Sequence, residues 1–575
     1  MYKPLIQLVQ LLTPPCIYLL ITLHTAALDR VISLCVIALS APDRHFLLQL
    51  PVITSQLSDW PVSDRLRPWC SFPLSHVCGR NQNLLVGTRK SCAVQLTLLV
   101  LQMQRTVVVA GGGISGLTAC YHLVKDAKVS KVILLESSSR MGGWMHSTRT
   151  EDGAVFEHGP RSMRPAGVVG KNSLCMVSEL GLEGDLLPIP RSHPAVKNRF
   201  LYVNKSLHKL PSSLGGVLRT IPPFTRPLFL CGLRDLTAPR GSQEDECVHD
   251  FFTRRFGKEL ADIVVDSLCR GVFAGDCRKL SLRSCFPFLH DAEVRKRSVV
   301  LGMVTGGEKA PKIDSPLIQR AKKERWSQWS LRRGMQTLSE ALEDYIRQRG
   351  VEIHKDTPVE ALERTSNGWK VSLPNGSVTA DHIFSAIPAA ALSRLLDPVA
   401  KPMADTLRQL NAANVAVVNL EYDGEVLPVS GFGHLIPSFE DSTVLGIVYD
   451  SLTYPQHNRQ GLASTRLTVM MGGAWFESSL GDPDSVSAEK VLSLATEAAA
   501  TQLGVTSSPS RAIVSVNKAC IPQYTLGHWK HIENLSSYIR QQALPISLIG
   551  ASYEGVSVND CIYNAKRSVQ SFAGC

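Results

Sequence analysis

The residues with the clearest chemical capacity are three glycines and an acid. Gly111-x-Gly113-x-x-Gly116 follows the β-branched run Val107, Val108, Val109, and the apolar run Val132 to Leu135 ends on Glu136, 20 residues past Gly116. Glycines at this spacing permit a tight turn, let backbone N–H groups approach a pyrophosphate, and let a helix pack on a strand with its positive end towards the phosphates. An acidic side chain at that offset can hold ribose hydroxyls. The chemistry indicated is capture of an adenine dinucleotide. Two further stretches fit an anionic ligand. Arg140-Met-Gly-Gly143-Trp144 and Phe156-Glu-His-Gly159-Pro160-Arg161 combine glycines that open the backbone amides with a cation at Arg161. Near the C-terminus, Ile546 to Asp560 reads as a strand, Gly550 and Gly555, and a helix beginning near Val556, which would put amide N–H groups and a positive helix end at an anionic locus.

The elements that must position these residues are spread along the chain. Thr106 to Glu136 is a βαβ unit; its uncharged run is long enough to imitate a membrane span, but its glycines and strand-turn-helix order point to a nucleotide domain. Met335, Leu338, Leu342 and Ile346 recur at helical spacing with Gly350 placed to end the helix, and this stripe reads as core. Asn367-Gly368 and Asn375-Gly376 mark turns of a small β-meander, and His382 to Pro388 reads as a buried strand of the nucleotide sheet. VAVVNLEY, TVLGIVYD, RLTVMMGG and AIVSVN, from Asn414 onward, predict a large sheet that walls a cavity. Val264 to Asp276 predicts a helix ending at Gly271. The expected division is 103–193, 316–395 and 521–575 for a discontinuous Rossmann-like domain, 194–300 for a helical block and 396–520 for a sheet domain. The fold class is α/β with mixed α+β character.

Composition narrows the function. With 575 residues, 44% apolar and 19% charged, the chain supports several folded domains. A net charge of +11 without a basic run carrying aromatics, and without a nucleic-acid module, favours an anionic membrane or substrate over nucleic acid, alongside an ordinary basic surface. Fifteen cysteines, with no CxxC pair and no Cys/His cluster, read as buried thiols, and no metal site is expected. Residues 1–102 look different: an uncharged stretch follows Lys3, yet Pro14 and Pro15 interrupt it, so an upstream extension ahead of Met103 competes with a true membrane anchor. Leu214 to Leu233 is too interrupted to span a bilayer. Either it lies in a membrane interface, with Phe224, Leu228, Phe229 and Leu230 buried there and Arg219 and Arg226 at headgroups, or it is a loop packed on the core.

With both ends of the nucleotide domain read, the chain resembles the FAD-dependent amine oxidase and protoporphyrinogen oxidase superfamily. VVVAGGGISGL and LLESSSRMGGW match the whole group. GPRSMRPAG, NRFLY, DSLCRGVFAGD, ERWSQWSLRRGM, CIPQYTLGHW and GASYEGVSVNDCI resemble its animal mitochondrial, porphyrinogen-oxidising branch, over roughly Met103 to the C-terminus. The resemblance implies one non-covalent FAD per chain and oxygen-dependent, six-electron oxidation of protoporphyrinogen IX to protoporphyrin IX with release of hydrogen peroxide, the penultimate step of haem synthesis. It implies flavin contacts at Gly111, Gly112, Gly113, Ile114, Ser115, Gly116, Glu136, Ser137, Trp144, Gly159, Pro160, Arg161, Ser162, Val359, Val556, Ser557 and Val558. It also implies a homodimer docked through the helical block on the intermembrane-space side of the mitochondrial inner membrane, with hand-over of product to ferrochelatase.

A flat apolar plate with two propionates needs an apolar slot and a cation. Arg199 is the expected propionate clamp, or else a salt-bridge arginine; Phe432 and Leu435, at positions that the resemblance places along the slot, are expected to sandwich the plate, or else to pack as core. Gly271, lacking a side chain, would let the substrate approach the flavin. No catalytic base declares itself, consistent with hydride transfer in which the cofactor does the chemistry; His434 and His528 are the nearest candidates for proton handling and read more readily as structural. The competing functions are an amine or polyamine oxidase, which would favour an aromatic cage over an arginine, and a flavin-binding scaffold without catalysis.

Overall fold

The computed structural model describes residues 105–305, 311–396 and 398–574; the leader expected at 1–102 lies outside the described residues. At the centre is a five-stranded sheet in the order Ile546–Leu548, His382–Ser385, Arg105–Ala110, Val129–Leu135, Glu352–His354. All its pairings are parallel, with Val108 beside Ile383 on one flank and Ile133 on the other. Parallel strands are covered on both faces, which is why they read as unbroken apolar runs. Val107, Val108 and Val109 are fully buried. Three distant stretches of chain thus converge on the strand that carries the glycine motif, as the sequence predicts for a discontinuous domain.

Helix Ile114–Leu123 packs against helices Gln336–Arg347 and Val558–Gly574 on one face of this sheet. Met335, Leu338, Leu342 and Ile346 are all fully buried in the same core as Leu117, Leu134 and Ile562. The predicted meander is present as Ala361–Arg364, Trp369–Leu373 and Gly376–Ala380.

The second large unit is a seven-stranded sheet in the order Arg511–Pro522, Ala412–Asp423, Ser464–Gly473, Val444–Val448, Gly433–Leu435, Phe200–Val203, Ser206–Lys209. The four runs expected from Asn414 onward supply four of its strands. The hairpin Phe200–Val203/Ser206–Lys209, at the start of the expected helical block, joins this sheet by a parallel pairing with Gly433–Leu435. That pairing sets Arg199 beside the cavity described below.

The helical block proper contains Phe229–Thr237, Val248–Phe256, a π-helical turn Ala261–Val265, Asp266–Phe273, Pro287–Lys296 and Val299–Val304. Arg255, wholly buried, ties three of these helices together by bonding Asp235 at 2.5 Å and Glu293 at 2.6 Å. A buried pair of this kind is costly to break by removing one partner.

Two expectations change here. The helix expected to end at Gly271 runs on to Phe273, and Ala274 closes it at φ 49° in the left-handed region. In the stretch Leu214 to Leu233, Phe224 and Leu228 point into the helical core rather than outward, whereas Leu230 is exposed along with Arg219 and Arg226. No helix among the described residues is long and apolar enough to cross a membrane.

Candidate active site

The glycine motif forms the turn that its spacing predicts. Gly111 has φ +102°, and a Cβ at Gly116 would lie 1.9 Å from the Gly111 carbonyl oxygen, so neither position accepts a side chain. Helix Ile114–Leu123 begins after Gly113 with no side-chain cap, and its first intrahelical bond runs from Leu117 N–H to Gly113 C=O. The leading amides, at Ile114, Ser115 and Gly116, are therefore free of side-chain acceptors. A Cβ on Gly113 would meet nothing nearer than Gly143 Cα at 4.0 Å, which leaves open space in front of these donors. This is an anion cradle of dinucleotide type.

Glu136 stands beside it. Its Oε2 accepts from Gly112 N–H at 2.7 Å and its Oε1 from Ser138 N–H at 2.9 Å, which fixes the carboxylate at the end of its strand. Ser137 is exposed next to it, its hydroxyl 3.5 Å from Glu136 Oε1. Thr357 N–H donates to the Glu136 carbonyl at 2.8 Å, and so draws the segment carrying Val359 to the same edge.

Contacts lead from the cradle towards the large sheet. Gly142 N–H bonds the Gly112 carbonyl at 2.8 Å, and a Cβ on Gly159 would lie 2.2 Å from the carbonyl of half-exposed Trp144. From the other side the C-terminal segment arrives: Gly550 lies over Ser115, with 3.7 Å from its notional Cβ to Ser115 Oγ. Ser557 caps the last helix by accepting from Asp560 N–H at 3.2 Å, and Asp560 in turn takes the Ser557 hydroxyl at 2.6 Å. Val556 and Val558 flank that cap. The positive helix end expected there is thus shared with an acidic side chain.

Gly159, Pro160, Arg161 and Ser162 line one part of a cavity whose other walls include Arg199, Gly271, Phe432 and Leu435. Every residue expected at the substrate site is therefore brought to the segment expected at the flavin. Arg199 is held by its own backbone, whose carbonyl accepts from Leu210 N–H at 2.8 Å, and its guanidinium carbon lies 5.3 Å from the centroid of the Phe432 ring. Phe432 is fixed through Asn198 C=O and Tyr449 N–H. Gly271 reaches the cavity from its helix and faces Leu435 directly.

The lining is apolar apart from Arg161, Ser162, Arg199 and His434, and it contains no carboxylate. His434 is no base. Its Nε2 is 2.8 Å from Gln502 Oε1, an acceptor, so Nε2 carries the proton and Nδ1 accepts from the Tyr449 hydroxyl at 2.8 Å; burial pushes it down to about 4. His528 is likewise committed, to the Tyr553 carbonyl at 3.0 Å, and burial pushes it to about 4. Cys561 is a buried thiol, pushed up to about 11 by desolvation. Gly446 and Asp450 also stand at this site without having been legible there in the sequence. A Cβ on Gly446 would lie 3.0 Å from Leu435 Cδ2, and the signal available was a lone glycine inside a strand-forming run. Asp450 had no local signal.

The family described as flavin containing amine oxidoreductase matches residues 114–571. Protoporphyrinogen oxidase of Bos taurus is 52% identical over 473 residues, covering 82% of this chain and 99% of the relative, and that of Homo sapiens gives the same figures. The chain belongs to the protoporphyrinogen oxidases of the flavin containing amine oxidoreductase family. A solved structure from Exiguobacterium sp. 255-15, 23% identical and covering 82% of this chain and 98% of its own, superposes with a TM-score of 0.66, which supports the shared fold.

The cofactor of this protoporphyrinogen oxidase family member is FAD, and the residues present fit it. The open space before Gly113 and the uncapped amides suit the pyrophosphate, Glu136 suits the ribose, and buried Arg161 Nη2 has no hydrogen-bond partner among the described residues.

Proposed function

We propose that this protein oxidises protoporphyrinogen IX to protoporphyrin IX, passing six electrons in three two-electron rounds to molecular oxygen, which leaves as hydrogen peroxide. The observation that carries the proposal is the single cavity in which Arg199, Phe432, Leu435 and Gly271 meet the Gly159–Ser162 segment, read together with relatives named for this reaction. FAD supplies the electron acceptor.

The remaining work falls to the chain. Arg199 takes a propionate, because a guanidinium grips a carboxylate with two parallel hydrogen bonds. Phe432 and Leu435 press on the macrocycle, and Gly271 leaves room for a substrate carbon to come close. With His434 held neutral and no carboxylate in the lining, binding and orientation do the protein's share, and the protons, from the substrate's N–H groups and from one meso carbon by tautomerisation, pass to solvent.

Docking on the mitochondrial inner membrane from the intermembrane-space side suits a lipophilic substrate and product. Leu230, Leu233 and Leu236 on helix Phe229–Thr237, with Leu301 and Val304 on the helix packed beside it, are exposed large apolar residues and support a membrane-facing patch. The direct test is aerobic turnover of protoporphyrinogen IX, followed by porphyrin fluorescence and peroxide release against the autoxidation blank. Flavin that stays oxidised when substrate is added without oxygen would refute the proposal.

A further inference from the structure

Helix Asp266–Phe273 brings Gly271 to the cavity, and two of its buried side chains, one turn apart on the same face, are a carboxylate and a guanidinium. Asp266 is fully buried and Arg270 is 1% exposed. Both reach away from the cavity lining to the loop of residues 436–443, which joins strand Gly433–Leu435 to strand Val444–Val448.

Asp266 Oδ2 accepts from Ser438 N–H at 2.6 Å, and its Oδ1 accepts from Arg278 Nη1 at 3.1 Å, which fixes the orientation of the carboxylate. Arg270 Nη2 donates to two carbonyls, that of Asp441 at 2.6 Å and that of Val444 at 2.8 Å, and its guanidinium carbon lies 4.5 Å from the centroid of the Trp475 ring. The loop is shaped to present those carbonyls, because Asp441 Oδ1 accepts from Thr443 N–H at 2.7 Å and from Val444 N–H at 3.0 Å. Burial pushes the Arg270 guanidinium down, and Asp266, Asp441 and Asp276 act against that, so the two attachments support each other.

The walls of the slot stand at the ends of these attachments. Leu435 is the last residue before the loop, Gly446 lies on the strand that follows it, and Gly271 comes next after Arg270 on the helix. Gly271 and Gly446 both crowd the Leu435 side chain, so a small shift between helix and loop moves all three.

We propose that Asp266 and Arg270 are positioning residues that clamp the helix to the loop and so fix how far Leu435 stands from Gly271, and with it the width of the slot; this rests on the porphyrinogen reading of the cavity. The pair acts through Gly271, Leu435 and Gly446, and a slot held at its working width receives the plate without reorganising.

The test is a double-mutant cycle on kcat/KM for protoporphyrinogen IX with the flavin-loaded wild type, Gly271→Ala, Arg270→Met and the double variant. R270M is expected to raise KM about fivefold with kcat within about twofold and flavin per mole of protein unchanged. The double variant is expected to be no less active than G271A alone, because an unclamped helix can back away from Leu435 and accommodate the added methyl. Asp266→Ala is expected to raise KM about fivefold, and Asp266→Asn, which keeps an acceptor for Ser438 N–H, about twofold. If R270M does not fold, Arg270→Lys, which keeps the charge but lacks the planar fork, carries the same cycle. Additive losses in the cycle, or an unchanged KM in R270M and D266A, would overturn the clamp, as would loss of flavin in step with activity, which marks a general support of the fold. A wild type without turnover would sink the porphyrinogen reading and the clamp with it; a wild type that turns over with additive losses would sink the clamp alone.

Discussion

A Cβ on Gly271 would lie 2.7 Å from Leu435 Cδ2, closer than carbon atoms sit without one of them moving. Gly446 approaches the same Leu435 methyl from the adjacent strand, at 3.0 Å from its notional Cβ. The Leu435 side chain is therefore seated between two glycines, and the width of the slot depends on both.

Gly271→Ala should push Leu435 into the slot and lower kcat/KM about tenfold, which corresponds to about 1.4 kcal/mol. Truncating the obstructed neighbour should recover part of the loss, so Gly271→Ala with Leu435→Ala is expected to be more active than Gly271→Ala alone. Steady-state kinetics on the two variants decides this.

At the cofactor end the steric constraint is stricter. The atom facing Gly116 is the Gly111 carbonyl oxygen, 1.9 Å away from a Cβ there, and backbone cannot swing aside. Gly116→Ala is expected to purify with little or no flavin, visible as loss of the yellow chromophore per mole of protein.

Glu157 predicts a pH dependence of stability. It is buried, bonded to Ser147 Oγ and to Met335 N–H, both at 2.7 Å, and desolvation pushes it from 4.5 up to about 7 against the lowering influence of those bonds and of Arg161. Between pH 4.5 and about 7 the folded protein holds a proton that the unfolded chain has lost, so stability falls as pH rises through this window and levels off above it. The total is about 3 kcal/mol. Glu157→Gln should flatten that slope in denaturant titrations at a series of pH values.

The apolar patch gives a separable outcome. Leu230, Leu233 and Leu236 sit exposed on one helix, outside the cavity. Replacing all three by Asp should abolish sedimentation with liposomes of inner-membrane lipid composition while leaving turnover in detergent within about twofold of wild type.

The parts of this molecule that were legible in the sequence are those written locally. Gly111 to Glu136 carries its own turn, helix start and acid, and the apolar runs after Asn414 announce strands without needing a partner. What was not legible depends on approach from elsewhere. Gly271 looks like a helix end because glycine so often closes helices; its smallness instead admits Leu435, and the helix passes through it. Phe224 and Leu228 belong to an apolar stretch broken by prolines, which has no periodic face to say which side is inward. Asp450 meets Arg161 across 289 residues, and no spacing rule reaches that far.

The function proposed above stands on the Arg199 cavity holding a porphyrinogen beside FAD. The most direct measurement is aerobic turnover of protoporphyrinogen IX by the purified flavoprotein and by Arg199→Ala at several substrate concentrations. Porphyrin formation well above the blank with matching peroxide is expected, with a KM raised about tenfold or more in Arg199→Ala and kcat far less affected. A flavin-loaded protein with no rate above the blank, or an Arg199→Ala variant with unchanged KM, would contradict it.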